Sequence, residues 1–198
     1  MTGGHATGPD ADAAISEFPI SVRRAAMSIE TFHKASLVHD DIEDDDAFRY
    51  GQPAVHRRFG IPTAINVGDY LIGLGYRLLS RHENDVPSEA RVDVLDALAA
   101  AHMRLAEGQG SELLWRDGKD RRLTPLDALK VYALKTSPAF EAALLSGVRM
   151  AGDSTPYRDA IRTFSRNMGV AFQILNDLGD WIGDDSNKMS AGGDVFGG

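Results

Sequence analysis

"ISVRRAAMSIETFHKASLVHDDIED", residues 20–44, decides the fold. Its apolar residues recur at helical spacing and strand formers are few, so the stretch predicts a long amphipathic helix. Working outward, "IPTAINVGDYLIGLGYRLLSR" (61–81) places Pro62 in a first helical turn, where a missing N–H costs nothing. "SEARVDVLDALAAAHMRLAEGQGSELLW" (88–115) is rich in the good helix formers Ala and Leu, with Ser88 as its expected N-cap. Thr124-Pro125 and Thr155-Pro156 each pair an N-cap hydroxyl with a proline at the first helical position, predicting two more helices. Gly and Pro mark the breaks: "FRYGQP", "ENDVPS", "RDGKDRRLTP" and "AGDSTP". No alternating run of strand length stands out. Long helices with short connections predict an all-α antiparallel bundle.

The chain has 198 residues, enough for one domain with a sizeable core or for a piece of a larger one. A net charge of −8 argues against general nucleic-acid binding and against attraction to an anionic membrane. The absence of cysteine excludes disulfides, thiolate zinc sites and cysteine nucleophiles. No apolar stretch approaches the roughly 20 residues of a membrane span, so no stable membrane insertion is expected. "MTGGHATGPDADAA" lacks the basic and apolar regions of a signal peptide, which predicts a cytoplasmic protein. The chain opens in a Gly-rich loop and stops at "GGDVFGG" just past a long helix. The expectation is a single domain over residues 1–198, incomplete at both ends and internal to a longer protein.

Six carboxylates crowd the end of the first helix: Asp40, Asp41, Glu43, Asp44, Asp45 and Asp46. Asp40 and Asp44 lie one turn apart on the same face, with Asp41 offset by one step. A second row occurs in "FQILNDLGDWIGDD" (172–185), where Asn176, Asp180 and Asp184 recur every fourth residue and Asp177 precedes Asp180 by three. An isolated acidic run is most often a solvated face. The first run is not an EF-hand loop, which needs a glycine at its sixth position and a glutamate at its twelfth. Two rows, each closing an apolar helical run, point elsewhere. Facing each other, they would enclose a polar hole in which so many carboxylates cannot all stay ionised without cations. Mg²⁺ suits such a hole, because it takes oxygen ligands from a few carboxylates, water and substrate phosphates.

"LVHDDIEDDDAFRYGQPAVHRRFGIPTAINVGDYLI" (37–72) resembles the first aspartate-rich region of the trans-type polyprenyl diphosphate synthases. His39, Asp40, Asp41 and Asp44 match the His-Asp-Asp-x-x-Asp pattern. Gly51, Pro53 and His56 match Gly-x-Pro-x-x-His, and Gly68, Asp69 and Leu71 match Gly-Asp-x-Leu. "EGQGSEL" resembles the Gly-Gln segment, "LKTSPAFEAA" the Lys-Thr segment, "FQILNDLGD" the second aspartate-rich motif and "NKMSAGGD" the turn after it. The resemblance implies an isoprenoid synthase bundle with a central cavity. The reaction it implies joins isopentenyl diphosphate to an allylic diphosphate, head to tail, with up to three Mg²⁺ ions, in a homodimer. By the same carry-over Asp40, Asp41 and Asp44 hold Mg²⁺, and Asp177 and Asp180 hold a further ion. Lys135, Thr136 and Lys188 contact the allylic diphosphate, Arg49 a substrate diphosphate, and Gln173 the reacting region. Asp40, Asp41, Asp44, Lys135 and Gln173 form the catalytic set.

Three departures qualify the match. Asn176 stands where the second motif usually opens with Asp, leaving a neutral oxygen. Tyr50 stands where a second arginine is usual and cannot make a bidentate phosphate contact. The family's Gly-Gly-Lys-Arg-x-Arg-Pro segment is absent. The nearest rival is a class I terpene cyclase, whose second motif opens Asn-Asp as here. A non-catalytic subunit of a heteromeric synthase is the other alternative. Positions 32, 36 and 40 stack on one helical face, with about 5.4 Å added per turn. A growing tail is therefore expected to run past Ser36 to a floor at Phe32, giving a product near C20.

Overall fold

The computed structural model describes residues 16–81, 85–118, 122 and 124–182, of which 180–182 are described by backbone alone. In chain order the elements are α1 (Ile20–Glu43), β1 (Phe48–Arg49), β2 (Gln52–Pro53), α2 (Val55–Phe59), α3 (Ile61–Ser80), α4 (Ser88–Arg116) and α5 (Pro125–Ala151). A 3₁₀ turn (Thr155–Tyr157) then leads into α6 (Arg158–Ile182). The all-α reading holds. The described residues add the short helix α2, the 3₁₀ turn and a small antiparallel ribbon pairing Phe48 with Pro53 and Arg49 with Gln52. Its turn places Tyr50 at φ 52 and Gly51 at φ 70, the doubly left-handed geometry that suits the twist of a two-residue hairpin. Each strand is too short to show alternation in sequence.

The caps correct two expectations. Thr124 does cap α5, accepting a hydrogen bond from the Asp127 N–H at 3.2 Å. Ser88 does not cap α4. Pro87 occupies the N-cap position and Ser88 is already helical, its hydroxyl accepting from Arg91 at 3.2 Å. Thr155-Pro156 opens the 3₁₀ turn, and α6 begins two residues later than expected, because the Asp153 carboxylate takes the Thr155 N–H at 2.9 Å and tightens the chain there.

Neighbouring helices run antiparallel. α3 lies along α1: the buried Ser28 hydroxyl donates to the Gly75 carbonyl at 2.7 Å, and the absence of a side chain at Gly75 leaves room for the Phe32 ring. α5 lies along α4, fixed by Arg104–Glu141 at 3.1 Å, and α6 lies along α5, where the Ser137 hydroxyl donates to the Arg166 carbonyl at 3.3 Å. The apolar core joins these layers through Ala25, Leu79, Val94, Leu98, Ala101 and Ala142, with Ile29, Phe32, Leu95 and Met150 packed around it. Half of that core is alanine, so the helices approach closely. Leu79, Val94 and Leu98 supply most of its bulk, each stabilising by about 1.5–3 kcal/mol on burial. Phe164, Met168, Phe172 and Leu175 form an exposed apolar face along α6 among the described residues. No helix of the described residues is long and apolar enough to cross a membrane.

Candidate active site

α1 ends in its acidic row, and this is an unfavourable place for negative charge. The last carbonyls of a helix already carry a partial negative charge, so carboxylates there need cations nearby. Three basic residues from three other segments supply them. Arg49, on β1, donates its Nε to the Asp41 carboxylate at 2.8 Å, with its Nη2 also bonded to that oxygen and 3.4 Å from Asp46. Asp41 is 2 % exposed, so this pair fixes the ribbon against the end of α1. Arg116, from the last turn of α4, donates to Asp44 at 3.0 Å and to the Glu43 carbonyl at 2.9 Å. Lys135, on α5, forms an ion pair with Glu112 of α4 and lies close enough to Asp40 to act on its charge.

The Asp40 carboxyl is strongly perturbed. Burial pushes it up to about 7; the Lys135 ammonium opposes that shift, Asp44 and Glu43 add to it, and Arg49 opposes it. A carboxyl in this condition gains from any added cation. The carboxylate oxygens at this helix end, with Asp44 one turn from Asp40, fit a hard divalent ion that takes its remaining ligands from water and phosphate. Among the described residues, no three His, Asp or Glu side chains gather around a common point by themselves. Asp41 faces Arg49.

Glycine sets the spacing between α4 and α5. A Cβ at Gly108 would sit 2.7 Å from the Leu134 carbonyl carbon and 2.7 Å from the Lys135 nitrogen, so only glycine allows this approach. That contact brings Lys135 beside Glu112. The next residue of α4, Gln109, donates to the Glu43 carboxylate of α1 at 2.8 Å. The "EGQGSEL" stretch is thus the close-packed seam between the acidic row and its lysine. His39 is anchored in a related way: its ring lies over Gly68, and its Nε2 is 3.6 Å from Asp69 on α3. His56 is buried, with Nε2 3.8 Å from Asp45.

The second row is reached through α5. Tyr132, three residues before Lys135 and on the same helical face, donates its hydroxyl to Asp177 on α6. One face of α5 therefore addresses Asp40 through Lys135 and Asp177 through Tyr132. Thr136 and Gln173 are half-buried on α5 and α6, and Asn176 is exposed. Asp180 belongs to the helical backbone of α6, while Asp184 and Lys188 lie outside the described residues. Phe32 stands edge-on to Tyr76, with ring centroids 4.7 Å apart, and tilted against His102 at 5.9 Å; Tyr76 and His102 are linked by a 3.4 Å hydrogen bond. Burial pushes the His102 imidazole down, with His39 acting in the same direction. Ser36 is exposed and donates to the His33 carbonyl at 2.9 Å. A separate cavity of about 210 Å³ opens between α4 and α5, lined by Asp93, Arg104, Pro138, Glu141, Ser146 and Arg149. It lies toward the other end of the helix pair from the acidic row.

Sequence reasoning did not single out Gln109, Glu112, Arg116 or Tyr132. The signal was present: the first three are spaced three and four apart, on one face of a helix, and Tyr132 is one turn from Lys135.

The bundle brings its first acidic row to basic residues across helix seams and its second row to Tyr132 of α5. The chain belongs to the polyprenyl synthetase family, whose model matches residues 11–196. It is 32% identical over 172 residues to the geranylgeranyl diphosphate synthase of Sulfolobus acidocaldarius, covering 87% of this chain and 51% of that one. The crystal structure of geranylgeranyl pyrophosphate synthetase from Pyrococcus horikoshii superposes with a TM-score of 0.75 at 36% identity, over 82% of this chain and 49% of that one. A polyprenyl synthase from Caulobacter crescentus, complexed with calcium and isoprenyl diphosphate, superposes with a TM-score of 0.76 at 28% identity, over 93% and 54%. The chain thus spans about half the length of the relatives it matches, and the fold is that of the isoprenoid synthases.

Proposed function

We propose that the protein containing this chain is a prenyltransferase that condenses isopentenyl diphosphate with an allylic diphosphate, head to tail, to a product near C20. The observation that carries the reading is the half-buried Asp40 carboxyl at the end of α1, within reach of the Lys135 and Arg49 charges, in a chain of the polyprenyl synthetase family. The relatives named geranylgeranyl synthases support the product length.

Mg²⁺ is the cation this reading requires, held by Asp40, Asp41 and Asp44 from the first row and by Asp177 and Asp180 from the second. When bound, it supplies positive charge to the oxygens of a departing diphosphate. The chain's own residues do the rest. Lys135, with Thr136 and Lys188, holds the allylic diphosphate, Arg49 holds a substrate diphosphate, and Gln173 lines the reacting region. The allylic carbon–oxygen bond breaks with both electrons leaving on diphosphate, a step favoured by preorganised positive charge. The double bond of isopentenyl diphosphate then attacks the allylic cation, and the resulting cation loses a proton to the released pyrophosphate. Apolar helix faces keep water from quenching the cation. A cytoplasmic homodimer is part of the same reading, which rests on the family resemblance.

The test is incubation of the complete reading frame that contains this chain with isopentenyl diphosphate, an allylic diphosphate and Mg²⁺. Elongated prenyl diphosphate, abolished by EDTA and by Asp40→Asn, is the expected outcome. A cyclic hydrocarbon from the allylic substrate alone would make the protein a cyclase. Product only after a second polypeptide is added would make it a subunit.

A further inference from the structure

The last two turns of α4 present Gln109, Glu112 and Arg116 on one face, and all three engage the acidic row or its lysine. Arg116 differs from the other two in gripping two groups at once. One guanidinium nitrogen holds Asp44 at 3.0 Å and the other holds the terminal carbonyl of Glu43 at 2.9 Å. Both side chains of the pair are mostly buried, at 24% and 28% exposure.

With Arg116 in place, each of Asp40, Asp41 and Asp44 feels a cation from elsewhere in the chain: Asp41 is paired with Arg49, Asp44 with Arg116, and Asp40 lies within reach of the Lys135 charge. Such pairing has a definite electrostatic consequence. A guanidinium bonded to a carboxylate repels a bare dication approaching the same oxygens, yet attracts a diphosphate that arrives with it. The fork on the Glu43 carbonyl keeps the guanidinium at the site when Asp44 changes partner, which a single ammonium could not do. The hairpin carries Tyr50 where the family usually has a second arginine, so α4 provides a fixed cation at the rim that the hairpin lacks.

We propose that Arg116 is a positioning residue that couples divalent-cation binding to diphosphate binding, holding Asp44 so that the first row takes up metal together with diphosphate rather than alone. This rests on the reading of the row as a metal–diphosphate site.

The experiment follows Mn²⁺ binding by electron paramagnetic resonance on the complete protein, with and without inorganic pyrophosphate, so that no turnover is needed. The unsubstituted protein should bind Mn²⁺ weakly alone and at least ~10-fold more tightly with pyrophosphate. Arg116→Gln should tighten the binding of Mn²⁺ alone by about threefold and cut the gain from pyrophosphate by about tenfold. Arg116→Lys, which keeps the charge without the fork, should show a smaller change in the same direction. It carries the test alone if circular dichroism shows Arg116→Gln unfolded. Unchanged coupling in the folded variants overturns the role of Arg116 while leaving the prenyltransferase reading intact. No gain from pyrophosphate in the unsubstituted protein removes the metal–diphosphate reading itself, and the inference with it.

Discussion

Gly108 and Gly110 sit two residues apart on α4, yet the same substitution should move stability in opposite directions. Placing Ala in a helix interior in place of Gly stabilises by about 0.8–1.0 kcal/mol through propensity. At Gly110 nothing lies within 4 Å of the new Cβ, so Gly110→Ala should realise roughly that gain. At Gly108 the new carbon would lie 2.7 Å from two backbone atoms of α5 and 2.9 Å from the Leu134 Cβ. Comfortable carbon contacts need about 3.5–4.0 Å, and backbone cannot rotate away as a side chain can. The helices must separate by about 1 Å, at the upper end of the ~1–3 kcal/mol range for overpacking. Net of propensity, Gly108→Ala should destabilise by about 1–2 kcal/mol, leaving the two variants about 2–3 kcal/mol apart. Urea unfolding monitored by circular dichroism measures the difference directly. Gly108→Ala should also lower kcat/KM, because the clash falls on the backbone nitrogen of Lys135, whereas Gly110→Ala should leave kcat/KM unchanged. Equal stabilities for the two variants would refute the close approach of α4 and α5 as the device that positions the lysine.

Three further outcomes follow from the geometry. Phe32→Ala should lengthen the prenyl product, read by chromatography of the dephosphorylated alcohols; an unchanged product distribution would show that the floor is set elsewhere, with Tyr76 and His102 next in line. Asp40 has a folded pKa of about 7, above its unfolded value of 3.8, so the stability it contributes is full below about pH 4 and is lost as pH rises through 7. In EDTA, Asp40→Asn should therefore flatten the stability profile between about pH 4 and 7, measured by thermal melts across that range; a parallel profile would contradict the burial of this carboxyl. Arg49→Gln leaves the buried Asp41 charge unpaired and should cost about 3–5 kcal/mol in chemical denaturation, with Asp41→Asn in the same chain restoring much of the loss.

The helices could be read in sequence because their apolar spacing and Pro-bearing starts are local signals. Thr124 capped as expected for that reason: the Asp127 N–H is shared between the Thr124 hydroxyl and the Thr124 carbonyl, both on the same residue. Ser88 and Thr155 misled because an adjacent Pro87 and Asp153 took over the helix start, a choice between neighbours that a single-residue preference does not resolve. The acidic rows were legible by the same local logic, as spacing on a helix face. Their partners were not, because Gln109 meets Glu43 across 66 residues of chain and Arg116 meets Asp44 across 72. Only the packing of α4 against the end of α1 brings those groups together. The pairing of Asp41 with Arg49 spans a mere 8 residues, but it needs the tight left-handed turn at Tyr50-Gly51, whose strands are too short to announce themselves.

The apolar core and the acidic row sit at opposite ends of α1. Ala25, Ile29 and Phe32 anchor its first half, while its last turn is tied to α4 by Gln109 and Arg116. Such a join behaves like a clothes-peg: grease fixes the pivot, and ionic clasps at the jaws yield to salt or to a competing anion. Amide exchange near residues 40–44 should accordingly quicken with ionic strength, while that of residues 25–32 stays slow.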